Sequence, residues 1–175
     1  SAHELLVEQD GGARRMSFSQ CIIAVGSESA RLPGLPEDPR IIDSTGALKL
    51  AEIPKRLLVI GGGIIGLEMA TVYDALGSKI TVVELMDSLI PGADKDIVKV
   101  LEKRISKRYE KILLKTKVTQ IEAQKEGLKV TFDAAGTTST DTFDAILMAV
   151  GRRPNGREIK AESAGVSVNE RGFIP

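Results

Sequence analysis

Three glycines, Gly61, Gly63 and Gly66, are spaced G-x-G-x-x-G and could hold the phosphates of a bound dinucleotide. The apolar stretch 56–60 predicts a strand that enters the motif, and the stretch 64–76 predicts a helix that leaves it. In this setting Gly61 would permit the tight turn, Gly63 a close approach to pyrophosphate, and Gly66 close helix–strand packing. The helix N-terminus would offer free N–H groups and a positive dipole end. The motif therefore predicts a dinucleotide site; glycines that serve packing alone are the alternative.

An acidic residue, Glu84, ends the next predicted strand and lies 23 residues after Gly61. Dinucleotide-binding folds place at this point an acid that accepts hydrogen bonds from the adenosine ribose. A carboxylate there repels a 2′-phosphate, and Leu85, Met86 and Asp87 supply no arginine to hold one. The sequence thus favours NAD over NADP. The alternative is an exposed acid at a strand end.

Three further residues are weaker candidates for cofactor contacts. Glu68 lies in a helical row whose other members are apolar, so it either faces a cleft or is a solvated residue favoured by the helix dipole. Gly151 and Arg152 follow the apolar stretch 145–150, at the edge where parallel sheets bind ligands. A glycine there would let a cofactor ring lie against the backbone, whereas surface arginines are common.

From residue 56 onward the sequence alternates between predicted strands and predicted helices. The predicted strands are 56–60, 79–84, 111–122 (one strand, or a strand with a bend) and 145–150, and the predicted helices are 64–76 and 95 to about 109. Gly77 is placed to end the first helix, and Asp94 to cap the second. The second helix would bury a face that carries Ile97, Leu101 and Ile105.

An antiparallel pair of strands, 128–133 and 138–141, is predicted between the last two parallel strands, with its turn at 134–136. Together these elements predict an α/β fold with a Rossmann-like parallel sheet and an antiparallel β-meander. The segment 155–175 shows no long period and predicts turns with one short strand.

Two segments of the chain end alike. Residues 18–26 (FSQCIIAVG) and 143–151 (FDAILMAVG) share a Phe eight residues before the glycine and the ending Ala-Val-Gly. Each follows a predicted hairpin, the first with its turn at 9–12. The unbroken apolar run 22–25 predicts a buried parallel strand whose sheet would lie upstream. We interpret the repeat as two similar domains; chance likeness between two hydrophobic strands is the alternative.

This interpretation predicts that the chain holds the tail of a first domain and the whole of a second. The predicted parts are the tail of a truncated domain at 1–32, a connector at 33–54, the dinucleotide-binding domain at 55–153 and a return segment toward the missing domain at 154–175. Residues 1–32 would be disordered, irregularly docked or exchanged between molecules, because their sheet is missing.

The composition excludes several classes of function. The 175 residues are 42% hydrophobic and 27% charged with a formal net charge of zero, so nothing attracts the chain to nucleic acid or anionic membranes. Its apolar runs are shorter than the ~20 residues that span a bilayer, and its first residues do not form a signal peptide; we expect a cytoplasmic protein. One cysteine and one histidine exclude a redox pair and a His-rich metal site. We expect Cys21 to be buried and His3 to be solvated.

With these residues in hand, the sequence resembles a known family. The stretches LLVIGGGIIGLEMATVY (57–73) and TVVELMDSLIPGADKDIV (81–98) are similar to the NAD-binding half of the dihydrolipoyl dehydrogenases, which are flavin-dependent disulfide reductases. LPGLPEDPRIIDSTGAL (32–48), AVGRRPN (149–155) and AGVSVNERGFI (164–174) continue the resemblance over essentially the whole chain. The resemblance implies the FAD/NAD(P)-binding domain fold.

The resemblance also implies a role for each candidate residue. NAD would be held by the glycine loop and the start of its helix, namely Gly61, Gly62, Gly63, Ile64, Ile65 and Gly66. Glu84 would bind the adenosine ribose and Val118 would lie beside the adenine. The nicotinamide would lie near Glu68, Ala149, Val150, Gly151 and Arg152. FAD would be touched by Val25, Gly26 and Ser27.

In this family, electrons pass from protein-bound dihydrolipoamide to a cysteine pair, then to FAD, and finally as hydride to NAD. The implied partners are the lipoyl domains of 2-oxo acid dehydrogenase complexes, and the implied intact enzyme is a homodimer. This chain lacks the cysteine pair, the flavin glycine motif and a catalytic histidine domain. We therefore expect a fragment that binds NAD weakly, has no catalytic residue or metal site, and is inactive alone.

Two alternatives remain open at this point. The chain could belong to another flavoprotein reductase, such as a mercuric reductase, an NADH oxidase or a pyridine nucleotide transhydrogenase. It could also be a stand-alone NAD-sensing or interaction module, although a strand at 22–25 without its sheet argues against that.

Overall fold

The computed structural model describes residues 3–175, which divide into two compact units. The larger unit is Ser29–Gly151, and the smaller unit combines the described residues through Glu28 with Arg152–Pro175. In chain order the strands are β1 (Glu4–Gln9), β2 (Gly12–Ser17), β3 (Ser27–Ser29), β4 (Ile41–Asp43), β5 (Arg56–Ile60), β6 (Lys79–Val83), β7 (Lys111–Leu113), β8 (Thr116–Gln124), β9 (Gly127–Ala134), β10 (Thr137–Phe143), β11 (Ala145–Met148) and β12 (Arg152–Pro154). The helices are α1 (Ser44–Leu48), α2 (Ile64–Ala75) and α3 (Lys95–Ile105), with short 3₁₀ helices at Gly156–Ile159 and Ala161–Ala164.

The larger unit contains a five-stranded parallel sheet with the spatial order β4-β11-β5-β6-β7. Ile60, the last residue of β5, is paired with Met148 on one side and Val83 on the other. This register brings the carboxyl ends of the three central strands to one level. The residues that follow those strands therefore meet at one edge of the sheet, where ligands bind in such folds.

The antiparallel β-meander has the order β10-β9-β8, and β9 and β10 are the predicted antiparallel pair. Its second hairpin turns at Ala135 and Gly136, whose φ angles of 52° and 88° suit a tight two-residue turn. The predicted strand 111–122 is two strands with a break at Leu114 and Lys115. The positive φ of Lys115, 51°, redirects the chain from the parallel sheet into the meander.

The two faces of the parallel sheet are covered by different elements, which explains why its strands are apolar without alternation. One core joins Leu57 and Val59 of β5 to the side chains of α2 and α3. The other joins Leu58 and Ile60 to the meander, including Phe132. The prediction of an α/β fold with a parallel sheet and a β-meander is confirmed.

The helices differ from the predicted ones in detail. Gly77 ends α2 as predicted: its φ is 101°, and the next amide, Ser78 N, donates to Tyr73 O at 2.9 Å. Helix α3 is shorter than predicted and ends at Ile105. The prediction that Ile97 is buried was wrong, since Ile97 is 66% exposed and Val98 is buried in its place. Val98, Leu101 and Ile105 form the i, i+3, i+7 face that contacts the core.

The connector at 33–54 contains two elements that the sequence did not predict, β4 and α1. Strand β4 lies at the edge of the parallel sheet beside β11. Asp43 then caps α1, because its carboxylate accepts a hydrogen bond from Gly46 N at 2.9 Å. The signal in the sequence was an apolar pair followed by Asp-Ser-Thr, which is short enough to be hidden among prolines.

The smaller unit begins with the predicted hairpin of β1 and β2, and β3 pairs with β12. The apolar run 22–25, predicted to be a buried strand of a sheet that lies upstream, has no regular structure here, and Ile22 is 92% exposed. Among the described residues no strand pairs with it, and an apolar run forms a buried strand only between neighbours. Cys21 is exposed, contrary to expectation, for the same reason. His3 is exposed, as expected.

The last residues of the chain also differ from the predicted arrangement. The prediction of a short strand within 155–175 was wrong, because this segment contains two 3₁₀ helices and turns instead. A Gly at 165 with φ 78° ends the second of these helices. Among residues 3–175, no helix has the length and apolar character that crossing a membrane requires.

Candidate dinucleotide-binding site

Close contacts with neighbouring backbone atoms require glycine at the first and third positions of the motif, Gly61 and Gly66. Gly61 has φ 107°, and a Cβ there would lie 2.3 Å from the carbonyl oxygen of Ala149. A Cβ on Gly66 would lie 2.1 Å from the carbonyl oxygen of Gly61. Both distances are far below any real contact, so only glycine lets β5, β11 and α2 approach this closely. This accounts for the roles of turn and packing that the sequence predicted for them.

The second motif glycine, Gly63, has different surroundings. It has φ −78°, which any residue adopts, and no atom lies within 4 Å of an added Cβ. It is also the N-cap of α2, and no side chain caps this helix end. The first N–H groups of α2 therefore have no side-chain acceptor and can donate to a ligand. A helix N-terminus of this kind favours negatively charged groups that supply oxygen acceptors, as a pyrophosphate does.

Glu84 lies directly beside the glycine loop and is half-buried. Its Oε2 accepts a hydrogen bond from Gly62 N at 2.7 Å, and its Oε1 accepts one from Met86 N at 2.8 Å. Each carboxylate oxygen has a second lone pair, so Glu84 can still accept hydrogen bonds from ribose hydroxyls. The predicted ribose acid and the predicted phosphate loop are thus in direct contact.

Gly62 lies between the first two motif glycines, and its position also requires glycine, although the motif allows any residue there. It is buried, and a Cβ there would lie 2.6 Å from Leu89 Cδ2. Its carbonyl oxygen accepts a hydrogen bond from Ile90 N at 2.9 Å. The run of three consecutive glycines was the only signal, since Leu89 and Ile90 lie in a loop without a motif.

The residues after β11 lie at the same edge of the sheet. Ala149 N donates to Ile60 O at 2.8 Å, which places Ala149 against the glycine turn. Val150 is 37% exposed. Gly151 has φ 126°, and no atom lies within 4 Å of an added Cβ, so its surface is open to a flat group. These three residues therefore border the same edge as Gly61 and Glu84.

Two candidates on α2 are exposed. Ile64 is 62% exposed, and Glu68, one turn further, is exposed too, whereas Ile65 is half-buried. Val72 and Leu76, which continue the row, are 38% and 48% exposed. This row of α2 is thus not covered by described residues of the larger unit. Within that unit the carboxylate of Glu68 is placed in solvent.

Val118 lies in β8 rather than in the parallel sheet. It is half-buried and packs against the core formed by the meander, with a β-bulge immediately after it. The bulge changes the register between Val118 and Gln120, which bends the strand at this point. Val118 therefore belongs to the meander side of the unit.

Arg152 lies in the smaller unit with the three residues assigned to FAD. Its Nε donates to Ser27 Oγ at 2.7 Å, and its guanidinium also donates to Ser27 O. Asn155 holds the same segment, donating from Nδ2 to Val25 O and from its backbone N to Gly26 O, both at 3.1 Å. The backbone oxygens of Val25, Gly26 and Ser27 therefore accept hydrogen bonds from Asn155 and Arg152, which hold this segment beside residues 152–155.

Comparison with known proteins places these features in a family. A family model described as pyridine nucleotide-disulphide oxidoreductase matches residues 2–175. The chain is 51% identical over 175 residues to the dihydrolipoyl dehydrogenase of Haemophilus influenzae, covering 99% of this chain and 36% of that protein. It is 52% identical over 172 residues to the dihydrolipoyl dehydrogenase of Vibrio cholerae, covering 96% of this chain and 36% of that protein.

Among solved structures, the chain is similar to the Cu(II) complex of the HOCl-induced flavoprotein disulfide reductase RclA from Escherichia coli. The TM-score is 0.87 at 30% sequence identity, over 99% of this chain and 39% of that chain. This chain therefore spans about a third of the length of the curated relatives it matches. The glycine loop, the sheet order and the match over nearly every residue agree: the chain belongs to the pyridine nucleotide-disulphide oxidoreductase family.

Proposed function

We propose that this chain is the NAD-binding part of a dihydrolipoyl dehydrogenase. One observation carries the proposal: the open space at Gly63 lies at the uncapped N-terminus of α2, beside a loop that Glu84 contacts at 2.7 Å. The site thus offers unpaired N–H donors for a pyrophosphate next to a carboxylate acceptor for ribose hydroxyls. The 51% identity to a dihydrolipoyl dehydrogenase supports the choice within the family.

The residues of the chain would bind and orient the cofactor. The N–H groups at the start of α2 donate to the pyrophosphate, and Glu84 accepts from the adenosine ribose. Gly151, with its open surface, lets the nicotinamide lie against the backbone. The resemblance adds Glu68 and Arg152 near the nicotinamide and Val118 beside the adenine. When bound, NAD supplies the chemistry of accepting a hydride.

The activity of the whole protein is part of the same proposal. The whole protein would oxidise dihydrolipoamide on the lipoyl domains of 2-oxo acid dehydrogenase complexes. It would act as a cytoplasmic homodimer and carry FAD. Val25, Gly26 and Ser27 contribute to the flavin site only together with residues outside this chain. A sister candidate is another flavoprotein disulfide reductase, which the likeness to the RclA structure favours; the identity of 30%, against 51%, ranks it second.

Calorimetric titration of the 175-residue chain with NADH tests the proposal through Gly63→Ala. The added methyl group enters open space, so folding should survive, with a cost of about 0.5–1 kcal/mol for alanine at an N-cap. It blocks the approach of the pyrophosphate, and we expect NADH binding at least about tenfold weaker, which corresponds to the loss of one charge-assisted hydrogen bond.

The control is Arg104→Ala, at an exposed position in the last turn of α3, far along the chain from the glycine loop. We expect the control to bind NADH as the unchanged chain does. NADH binding that is equally tight in Gly63→Ala would contradict the proposed site.

The unchanged chain should also bind NADH more tightly than NADPH. Equal affinities for the two nucleotides would contradict the proposed contact between Glu84 and the adenosine ribose.

A further inference from the structure

The peptide between the first two motif glycines is held on three sides. Gly62 N donates to Glu84 Oε2 at 2.7 Å, and Gly62 O accepts from Ile90 N at 2.9 Å. On its Cα side, an added Cβ would lie 2.6 Å from Leu89 and 3.2 Å from Glu84 Cβ. Gly62 therefore has one defined position, and Glu84 contributes to two of the three contacts that define it.

The hydrogen bond from Gly62 to Glu84 is a strong one in its surroundings. A carboxylate that accepts from an N–H forms a charge-assisted hydrogen bond, about twice as strong as a neutral one. Gly62 is buried, so its N–H would lose free energy if the acceptor were removed and no water replaced it. Met86 N, at 2.8 Å from the other oxygen, fixes the carboxylate in the orientation that Gly62 requires.

We infer that Glu84 is a positioning residue for the phosphate loop as well as the residue that selects NAD. The inference rests on the proposed function for its second half only, since the contact with Gly62 is present without a ligand. Gly62 precedes Gly63 and the first N–H groups of α2. The carboxylate that binds the ribose therefore also holds the loop that binds the pyrophosphate.

This double role predicts how the choice between NAD and NADP can be changed. Glu84→Gln removes the charge that repels a 2′-phosphate, and its amide oxygen can still accept from Gly62 N. Its NH₂ group then faces Met86 N–H, so one of the two backbone contacts is lost. Glu84→Ala removes the charge and both contacts. Loss of the charge alone should favour NADPH, whereas loss of the loop contacts should weaken both nucleotides.

Amide hydrogen exchange on the ligand-free 175-residue chain tests the positioning role. The rate at Gly62 is compared with the rate at Leu58, in the buried strand β5, which corrects for global stability. Relative to Leu58, we expect Gly62 to exchange at least about tenfold faster in Glu84→Ala, and at an intermediate rate in Glu84→Gln. An unchanged ratio in Glu84→Ala overturns the inference.

Two further variants keep this test decisive. Leu85→Ala, at an adjacent residue that is 64% exposed, is the matched control and should leave the ratio unchanged. Should Glu84→Ala fail to fold, Glu84→Asp replaces it, because its side chain is one methylene shorter. Faster exchange at Gly62 is again expected, and exchange at the original ratio overturns the inference.

Titrations with NADH and NADPH test the link to specificity. We expect Glu84→Gln to bind NADPH more tightly than the unchanged chain does, and Glu84→Ala to bind both nucleotides at least about tenfold more weakly than Glu84→Gln. Equal NADPH affinity in the two variants overturns the link between loop and specificity. If the unchanged chain binds no NADH, the proposed function fails, while the exchange rates still decide the positioning role.

Discussion

The two edges of the parallel sheet differ in whether their hydrogen-bond donors are paired within the protein. At the carboxyl edge, the N-terminus of α2 has no side-chain cap, and Gly63 and Gly151 border open space. At the amino edge, Arg56, the first residue of β5, donates to Asp141 at 2.8 Å and to Glu110 at 3.2 Å. Its backbone N also donates to Asp144 at 2.7 Å.

The difference shows where a ligand can bind. Arg56 stacks over the ring of Phe143, 5.0 Å from its centroid, and Lys111 adds a contact of 2.8 Å to Asp141. The side chains of Arg56 and Lys111 are thus already paired within the protein, and both connect the parallel sheet to Asp141 of the meander. At the carboxyl edge, Gly62 N is bonded to Glu84, but the first N–H groups of α2 have no side-chain cap and keep their capacity for a ligand.

The largest expected effect is on packing at the carboxyl edge. In Gly66→Ala the new Cβ would meet a backbone oxygen at 2.1 Å, so strand and helix must separate. We expect the free energy of unfolding to fall by about 2 kcal/mol or more, measured by urea denaturation. Gly63→Ala is the control, with a cost of at most about 1 kcal/mol. Equal losses in the two variants would show that the loop lacks the described close contact.

A smaller effect is expected at the amino edge. Arg56→Ala removes the hydrogen bonds to Asp141 and Glu110, whose side chains are 22% and 31% exposed. Because solvent screens part of this interaction, we expect a loss of about 1 kcal/mol in the free energy of unfolding. NADH affinity should be unchanged, since the site lies at the other end of β5.

The control for that variant is Arg104→Ala, an exposed arginine in the last turn of α3. This variant should have the same free energy of unfolding and the same NADH affinity as the unchanged chain, within experimental error. A loss of NADH affinity in Arg56→Ala comparable to that in Gly63→Ala would mean that the two edges are not independent.

The smallest effect is a change in the acid dependence of stability. Hydrogen bonds from Arg56, aided by Lys111, hold the pKa of Asp141 well below its usual range. A carboxyl whose pKa is lowered in the folded state stabilises the protein above its unfolded pKa of about 3.9, and this stability is lost as the pH falls toward the folded value. Urea denaturation should therefore show that the free energy of unfolding falls less between about pH 4 and 2 in Asp141→Asn than in the unchanged chain. An equally steep loss would contradict the assignment.

Much of the larger unit could be predicted from local sequence. The alternation of apolar strands and helices, the helix end at Gly77 and the hairpin at Ala135 and Gly136 follow from period and turn chemistry. The exposure of Ile97 could not be predicted, because Ile97 and Val98 are both apolar and only the neighbouring core decides which one is buried. Strand β4 was missed because a three-residue strand has too few residues to show a period.

The candidate site shows the same division. G-x-G-x-x-G and Glu84 were visible as a motif with a fixed spacing, and the structure brings both to one edge of the sheet. The need for glycine at position 62 was not visible, since it depends on Leu89, which lies 27 residues away in a loop. The contact between Arg152 and Ser27 joins residues even further apart in the chain.

The sequence alone determined the fold class, because period and residue type encode local conformation, and it predicted a phosphate loop and an acid that would select NAD. Only the tertiary structure decided which donors remain unpaired and which apolar run becomes a strand. The run 22–25 has the composition of a buried strand but forms no strand, and Ile22 is 92% exposed, since a strand needs neighbours to pair with. Glu84 likewise gains its contact with Gly62 from the pairing of β5 with β6, which no stretch of sequence contains by itself.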